Sequence, residues 1–378
     1  MVMEREMMRE KEEEPEEWYP PDYVYITRDE QHAHIASLPR VVHTGEVTKR
    51  YRSPKGKGER LQAKKGGVSI FLPWQHHNWK QMRYPIYTMT IFGQAGRAVE
   101  DSFAVGASGC HRHWMDAIFY RPGGTYIEEQ DGVMYDCQGE GVLLVPTYSI
   151  HGHYFKEAPK KNGITVLPRI FEYIGIADME VFDFDEEYKR KASPIGTFHI
   201  IQDVQDMMYN RRAITKWNPD SDDQQPKTVY DHYLKDVVDE NRWRMQTVRW
   251  VPADSVPWEQ TRQGKLKYLV HPWTNTVTRT MDCYLQEIPP GGCSGKHRHV
   301  YEEAHFICEG TGYTVQNGVR YDWKEDDLVC VPVGVTHQHF NADPEKKARI
   351  FGAHPRIFYH IGYGGIEQLE NAPDWPGK

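Results

Sequence analysis

The chain of 378 residues carries 54 acidic and 46 basic side chains, a formal net charge of −8 and an isoelectric point near 6.2. This length accommodates two or three domains with large cores, and the acidic balance argues against nucleic acid or an anionic membrane as a partner. The sequence has no apolar run of membrane-spanning length, no charged-then-apolar leader and no CxxC pair among its six cysteines, so we expect a cytoplasmic protein that is neither secreted nor membrane-spanning.

In chain order, changes of composition divide the sequence into six segments. The first seventeen residues hold eight Glu and three Lys or Arg without periodicity, which is typical of a disordered tail. The predicted segments are an acidic tail (1–21), an N-terminal arm (22–84), a first β-rich segment (85–175), a partly helical connector (176–250), a second β-rich segment (251–362) and a C-terminal tail (363–378).

Alternating residues between Gly and Pro turns predict strands in both β-rich segments. The predicted strands are Ser102–Val105, His111–Tyr120, Gly132–Tyr135 and Gly141–Val145 in the first segment, and Val277–Glu287, His299–Cys308, Gly312–Val315 and Leu328–Val331 in the second. The connector has helical patterns at Phe198–Arg212 and Thr228–Asn241. The sequence therefore predicts a fold dominated by β-structure, with a partly helical connector.

The two β-rich segments contain copies of one sequence. Gly106–Phe155 aligns with Gly292–Asn341 without a gap, so that every matched pair of positions has the same separation along the chain. This constant separation pairs glycines, a proline, a Tyr-Asp dipeptide and four histidines; the histidine pairs are His111 and His297, His113 and His299, His151 and His337, and His153 and His339. A register of this quality, maintained from end to end of both copies, indicates an internal duplication.

In the second copy the polar residues have the spacing of a metal site. Side chains alternate along a strand, so His297 and His299 share a face, and Glu303 follows four residues later. An Asn-Gly hairpin signal precedes His337, so a return strand can bring that imidazole opposite the pair. Three imidazoles and a carboxylate suit Fe(II), Mn(II), Ni or Zn. His305 continues the alternation, either as a pocket residue or as a core histidine.

The first copy keeps only the histidines of this set. His111, His113 and His151 are present, whereas Ala117 stands at the position that corresponds to the glutamate. Asp116 is one residue out of phase with the histidine face, so we do not expect it to replace the missing carboxylate. The first copy therefore offers three candidate metal ligands and the second copy four.

These patterns resemble the two motifs of the cupin family. The matching stretches of the second copy are Gly291-x5-His297-x-His299-x3-Glu303-x6-Gly310 and Pro332-x-Gly334-x2-His337-x3-Asn341. The one departure is Asp326, at a position where the family usually has Gly. The resemblance implies a bicupin, in which each copy is a double-stranded β-helix (jelly-roll) barrel, and bicupins commonly bury their sheet edges in a homodimer or homotetramer.

The first copy resembles one branch of that family, the gentisate, salicylate and hydroxynaphthoate dioxygenases. The shared patterns are His111-Arg112-His113, Ala117 and Pro146-Thr-Tyr148-Ser-Ile-His151-Gly-His153. The resemblance implies that the three histidines bind Fe(II), with O2 as co-substrate, and that His153 is a nearby acid–base group. The branch places a substrate-binding arginine at the position of Phe119, and here Arg121 follows two residues later.

The function implied is that of a non-haem Fe(II) dioxygenase that cleaves the ring of an oxygenated aromatic molecule, with His153 and His339 managing protons. Either barrel, or both, is a candidate for the metal. Two alternatives remain open: a Mn(II) bicupin of the oxalate-decarboxylase type, whose ligand set matches the second copy, and a bicupin that binds or stores a small ligand without catalysis. Oxygen uptake distinguishes the first interpretation from both alternatives.

Overall fold

The computed structural model describes residues 40–42, 89–94, 111–113, 116–146, 149, 151–155, 163–168, 179–181, 220–222, 224–274, 278, 280–360, 362 and 364–377. The strand predicted at Ser102–Val105, the helix predicted at Phe198–Arg212 and the predicted acidic tail lie outside these residues.

The described residues form 22 strands, numbered in chain order. Strands β1 to β11 are Val41–Val42, Met89–Gln94, His111–His113, Ala117–Arg121, Thr125–Gln130, Val133–Gln138, Gly141–Val145, His151–Phe155, Gly163–Pro168, Met179–Val181 and Trp250–Pro252. Strands β12 to β22 are Glu259–Thr261, Gly264–Val270, Met281–Ile288, Lys296–His299, Glu303–Glu309, Thr311–Gln316, Val319–Lys324, Leu328–Val331, His337–Asn341, Ala348–Pro355 and Ile366–Glu370. The helices are α1 (Val229–Gln246), α2 (Ile357–His360) and the 3-10 helices Ala253–Ser255 and Pro272–Thr274.

Each β-rich segment folds as a barrel of two sheets, as the sequence predicts. The first barrel has the strand orders β10-β3-β8-β5-β6 and β11-β7-β4-β9-β2. The second has the orders β1-β19-β16-β21-β14-β13-β12 and β18-β17-β20-β15-β22. Neighbouring strands pair antiparallel in both barrels.

The duplication is present in the backbone as well as in the sequence. The β5–β6 and β17–β18 hairpins pair in the same register at the constant separation of the two copies. Both turn through a left-handed residue before a glycine, Asp131 at φ 52° and Asn317 at φ 47°. Gln130 and Gln316, which also correspond in the duplication, each donate a side-chain amide to a strand carbonyl at 2.9 Å. The two barrels therefore share turn geometry and interior hydrogen bonds.

The strand at one edge of each barrel comes from the segment that precedes the other barrel. Strand β1, from the N-terminal arm, pairs with β19 of the second barrel, and β11, from the connector, pairs with β7 of the first. The preceding residues bond alike: the Arg40 carbonyl accepts from Cys330 N at 2.8 Å, and the Arg249 carbonyl accepts from Leu144 N at 2.7 Å. The two halves of the chain are therefore joined by exchanged edge strands.

The main core lies between the barrels. All five residues of β4 and of β7 are buried, because their sheet has its own barrel on one face and the second barrel on the other. Ile118 and Tyr120 point toward the second barrel, where the ring of Tyr120 stacks on Phe351 at 4.5 Å. Phe119, between them, packs inside the first barrel. Strand β4 therefore does not alternate between buried and exposed residues, because both of its faces are covered.

Two predicted strands are wrong in their continuity. His111–Tyr120 is divided into β3 and β4, and His299–Cys308 into β15 and β16, and in each case the two strands belong to different sheets. In the second barrel the crossing is held by Val300 N, which donates to Gly365 O at 3.1 Å. The crossing carries the chain from one sheet of the barrel to the facing sheet.

Helix α1 confirms the helix predicted at Thr228–Asn241 and continues to Gln246. It begins with a capping box: Asp231 N donates to the Thr228 hydroxyl at 3.1 Å, and Thr228 N donates to the Asp231 carboxylate at 2.9 Å. Among the described residues, no helix has both the length and the apolar character needed to cross a bilayer.

Asp116, one residue before β4, joins the two barrels through a buried hydrogen bond. It accepts from the hydroxyl of Thr280, next to β14 of the second barrel, at 2.5 Å. Burial raises the pKa of Asp116 from 3.8 to about 6, although the hydrogen bond from Thr280 opposes the shift. Asp116 is thus a contact between barrels rather than a substitute metal ligand.

The titration of Asp116 predicts a pH-dependent stability. An acid whose pKa is raised on folding contributes most stability below its unfolded pKa and loses that contribution as the pH rises through its folded pKa. Asp116→Asn removes the titration, so relative to wild type its unfolding free energy should increase by about 2 kcal/mol between pH 4 and pH 7. Urea denaturation of both proteins at several pH values measures this difference. Parallel pH profiles would contradict the assignment.

Candidate metal centre

Three strands bring four donor side chains together inside the second barrel. His297 and His299 lie on β15, and His337 lies directly opposite His297 on β20. Glu303 is the first residue of β16 and reaches the site from the facing sheet, because the chain crosses between the sheets after His299. Glu303 is therefore near the histidines because it faces them from the opposite sheet, and not because it alternates along the same strand as His297 and His299. All four side chains are buried, and their ligand atoms lie within 4.8 Å of one another.

The three imidazoles converge on one carboxylate oxygen. Oε2 of Glu303 lies 3.0 Å from Nε2 of His299, 3.4 Å from Nε2 of His337 and 3.9 Å from Nε2 of His297. Nε2 of His297 and Nε2 of His337 are buried and make no hydrogen bond to the described residues. Four ligand atoms therefore face a common point, and two of them lack the polar partner that buried nitrogen atoms require.

The hydrogen bonds of the rings fix which nitrogen faces this point. Nδ1–H of His337 donates to Val335 O at 3.0 Å, and Nδ1–H of His299 donates to Tyr301 O at 2.6 Å. Backbone carbonyls only accept, so both rings carry a proton on Nδ1 and turn Nε2 toward the centre. Such backbone partners are typical of histidines that ligate a metal.

The electrostatics of the site favour neutral His297 and His337 beside an ionised carboxylate. Burial lowers the pKa of His337 to about 3, and the nearby His297 lowers it further. Burial also lowers the pKa of His297. For Glu303 burial acts in the opposite direction, yet the histidines around it, His305 foremost, hold its pKa well below the usual carboxyl range. At neutral pH the site therefore holds an ionised carboxylate among buried imidazoles.

This arrangement fits a divalent transition metal. Lone pairs that face one another repel, and a cation among them converts the repulsion into coordination. Three imidazole nitrogens and one carboxylate oxygen are a donor set for Fe(II), Mn(II), Ni or Zn, and on an octahedral ion they leave two positions open.

Tyr284 and His305 also contact the Glu303 carboxylate. The Tyr284 hydroxyl donates to Oε1 of Glu303 at 2.6 Å and lies 3.1 Å from Nε2 of His305. His305 is fully buried, and its Nε2 lies 3.4 Å from Oε2 of Glu303. Burial raises the pKa of Tyr284 well above its usual value, and the charge of Glu303 adds to the shift, so the hydroxyl remains a donor. His305 thus borders the Glu303 carboxylate and is at the same time a fully buried core histidine.

His339 lies behind His305 and is anchored away from the ligand atoms. Its ring is 4.4 Å from that of His305, and its Nδ1 lies 2.7 Å from the Thr314 hydroxyl oxygen. The indole N–H of Trp323 donates to the same oxygen at 3.0 Å. Burial lowers the pKa of His339 well below its usual value. His339 is therefore a neutral ring that borders the ligand histidines without joining the group of four.

An aromatic wall covers one side of His299. The ring of Tyr301 stacks on His299 at 4.3 Å, with an interplanar angle of 6°, and on His354 at 4.6 Å. Tyr301 and Tyr284 both lie close to His354, the latter at a ring distance of 6.5 Å. Burial lowers the pKa of His354 to about 3. These rings give the surroundings of the ligand set a largely apolar and aromatic character.

The first barrel has the same backbone arrangement with different interior residues. His111 on β3 pairs directly with His151 on β8, as His297 pairs with His337. His151 is fully buried, and its Nδ1–H donates to Ser149 O at 2.9 Å, as in the second barrel. The backbone of His113 and of His153 lies on these two strands, whereas the side chains of His111, His113 and His153 lie outside the described set.

Where the second barrel has Glu303, the first has the small, fully buried Ala117. Arg121, two residues beyond Phe119, is 2% exposed and points into the first barrel. Its guanidinium lies over the rings of Phe119, at 5.3 Å, and Tyr126, at 4.7 Å, and 3.4 Å from the buried carboxylate of Glu128. The first barrel therefore holds a buried ion pair, and its Glu128 lies on the strand next to β8.

Sequence reasoning identified the four donors of the second barrel but did not identify Tyr284. It lies well before Glu303 in the chain and outside both motifs, and no local pattern connects the two. One available signal is Gly352, since a Cβ there would lie 2.3 Å from the Tyr284 ring. A glycine in the middle of a buried strand indicates that another group lies over its backbone.

Comparison with known proteins supports this fold. Residues 284–353, from β14 to β21, match the family model described as Cupin domain. The two barrels share one strand order, apart from the additional β12 and β13 of the second.

In fold, the protein is similar to the salicylate 1,2-dioxygenase of Pseudaminobacter salicylatoxidans, with a TM-score of 0.55, 16% identity and 88% of each chain covered. In sequence, it is 35% identical over 66 residues to 5-aminosalicylate 1,2-dioxygenase from Comamonas sp, which is 18% of this chain and 18% of that enzyme. It is also 33% identical over 72 residues to acireductone dioxygenase 2 from Coprinopsis cinerea, 17% of this chain and 36% of the relative. The chain thus aligns with well under two thirds of either relative's length.

Metal analysis tests the site directly. After anaerobic loading with Fe(II) and removal of free metal, His337→Ala should hold one equivalent less than wild type, because it removes one of four converging donors. His232→Ala, an exposed histidine of α1, is the matched control and should keep the wild-type content. Elemental analysis by mass spectrometry gives the count. An unchanged content in His337→Ala would remove the second barrel from consideration.

Proposed function

We propose that the protein is a metal-dependent dioxygenase that binds Fe(II) in the second barrel and uses O2 to cleave the ring of a hydroxylated aromatic molecule. The observation that carries the proposal is the convergence of His297, His299, His337 and Glu303 on one point. The resemblance in fold to a salicylate dioxygenase, and in local sequence to an aminosalicylate dioxygenase, supports the reaction class.

The residues of the second barrel would bind the metal and attract the substrate. The three histidines and Glu303 hold the ion, and when bound, Fe(II) supplies the one-electron chemistry that lets O2 react with an aromatic molecule. One carboxylate charge beside a divalent ion leaves a net positive centre, which attracts an anionic phenol or carboxylate. The rings of Tyr301 and His354 pack beside His299 and exclude water from that side of the ligand set. Two positions remain open for the reactants.

The remaining residues of the proposal belong to proton transfer and to the first barrel. We assign His339, and His153 at the corresponding position of the first barrel, to the movement of protons near the reacting groups. We assign His111, His113 and His151 to a second, three-histidine metal site, supported by the shared strand register and by the Nδ1–H bond of His151. Mn, Ni or Zn are the alternative ions for either site.

We further propose a cytoplasmic enzyme that forms a homodimer or homotetramer. Five free cysteines among the described residues, four of them buried, support a reducing compartment. Within the described part of the chain, β12, β18 and β22 lie at the edges of their sheets, where a partner subunit can pair with them.

Oxygen consumption tests the proposed reaction. The Fe(II)-loaded protein should consume O2 with at least one of salicylate, 5-aminosalicylate and gentisate, with the loss of the aromatic absorption band. His299→Ala should reduce the rate to background if the second barrel works, and His113→Ala if the first does. An oxygen electrode and ultraviolet spectra provide both measurements.

The same experiment separates the alternatives. Release of CO2 from oxalate without net O2 consumption would favour a Mn(II) decarboxylase of the bicupin type. Metal-loaded protein that consumes no O2 with any oxygenated aromatic molecule would contradict the dioxygenase proposal.

A further inference from the structure

We propose that Tyr284 is a positioning residue that restricts Glu303 to coordination through a single oxygen, and so keeps two coordination positions of the second-barrel metal open. The inference rests on the metal centre of the proposed function and adds to it a role for a residue outside both sequence motifs.

The first observation is that the two oxygens of the Glu303 carboxylate have different partners. Oε2 of Glu303 faces the three imidazoles, whereas Oε1 accepts a hydrogen bond from the Tyr284 hydroxyl at 2.6 Å. A carboxylate can coordinate through one oxygen or through both, and four protein ligands become five donor atoms when it uses both. A hydrogen bond that occupies Oε1 holds the carboxylate in the one-oxygen orientation.

The second observation is the row of residues that brings Tyr284 to this place. Tyr284 on β14 pairs with Gly352 on β21, and Gly352 pairs on its other side with His305 on β16. A Cβ at position 352 would lie 2.3 Å from the ring of Tyr284. Because the central residue has no side chain, Tyr284 crosses above its backbone and meets His305 at 3.1 Å.

The third observation is that the first barrel lacks the whole arrangement. The corresponding row across β2, β9 and β4 is Phe92, Thr165 and Phe119. None of these three residues is a Tyr, Gly or His, and the barrel has Ala117 where the second has Glu303. The tyrosine, the glycine and the histidine thus occur in the barrel that has a carboxylate to orient and are absent from the one that does not. This distribution is expected if the three residues serve to orient the Glu303 carboxylate.

Cobalt provides a test that is independent of turnover. The protein is loaded with Co(II), and azide, an anion that occupies open coordination positions, is titrated while the visible absorption is recorded. Tyr284→Phe frees Oε1 to coordinate, so this variant should retain Co(II) but bind azide at least about tenfold more weakly than wild type. Tyr268→Phe is the matched control, since it removes the hydroxyl of a ring 6.0 Å from Tyr284 and should bind azide as wild type does.

The outcomes separate this role from the metal centre itself. Wild-type azide affinity and an unchanged Co(II) spectrum in Tyr284→Phe would overturn the role of Tyr284 alone. Folded Tyr284→Phe that has lost Co(II) would also overturn it, because a chelating carboxylate should bind metal at least as well. Wild-type protein that binds no Co(II) would overturn both the role and the proposed function. Circular dichroism checks folding, and Tyr284→Met, which removes the hydroxyl with a flexible side chain, repeats the test if the phenylalanine variant does not fold.

Discussion

The second barrel depends on the placement of the ionised Glu303 carboxylate among three buried imidazoles. Burying so many polar atoms at one point is costly, so the protein must hold them in place through partners of their own. Backbone carbonyls hold His299 and His337, the tyrosine hydroxyl holds Glu303, and the facing sheets fix the distance between the two sets. The order of the strands and the crossing after His299 follow from the need to bring Glu303 to the histidines from the opposite sheet.

Much of this could be predicted from the sequence, for an identifiable reason. Metal ligands impose fixed spacings, and a duplication shows each spacing twice, so the candidate ligands and the hairpins near Asp131 and Asn317 are visible without a structure. The short edge strands β1, β10, β11 and β22 are not, because such short strands have no periodicity and their conformation is set by the strand that they pair with. Tyr284 was missed for a related reason: its counterpart in the first barrel, Phe92, lies before the aligned copies and out of their constant register.

The two barrels show that a shared backbone does not determine which residues fill the interior. The same strands, turns and histidine register enclose a carboxylate with its tyrosine and histidine in one copy, and an alanine with a buried arginine–glutamate pair in the other. A buried ion pair and a buried metal centre are both costly to desolvate and must be fully partnered. Each copy meets this requirement with residues that the other copy does not have, and so the two interiors have diverged while the sheets around them have not.

The exchanged edge strands also govern the order in which the chain can fold during its synthesis. Strand β7 is complete at Val145, but its neighbour β11 begins only at Trp250. At ordinary rates of translation the ribosome needs on the order of 5 to 20 s to make the intervening residues. For that interval the edge of the first barrel has no strand to pair with, and unpaired edges readily accept a strand from another chain. The pairing that joins the two halves of one molecule is therefore also the route by which neighbouring nascent chains can exchange strands.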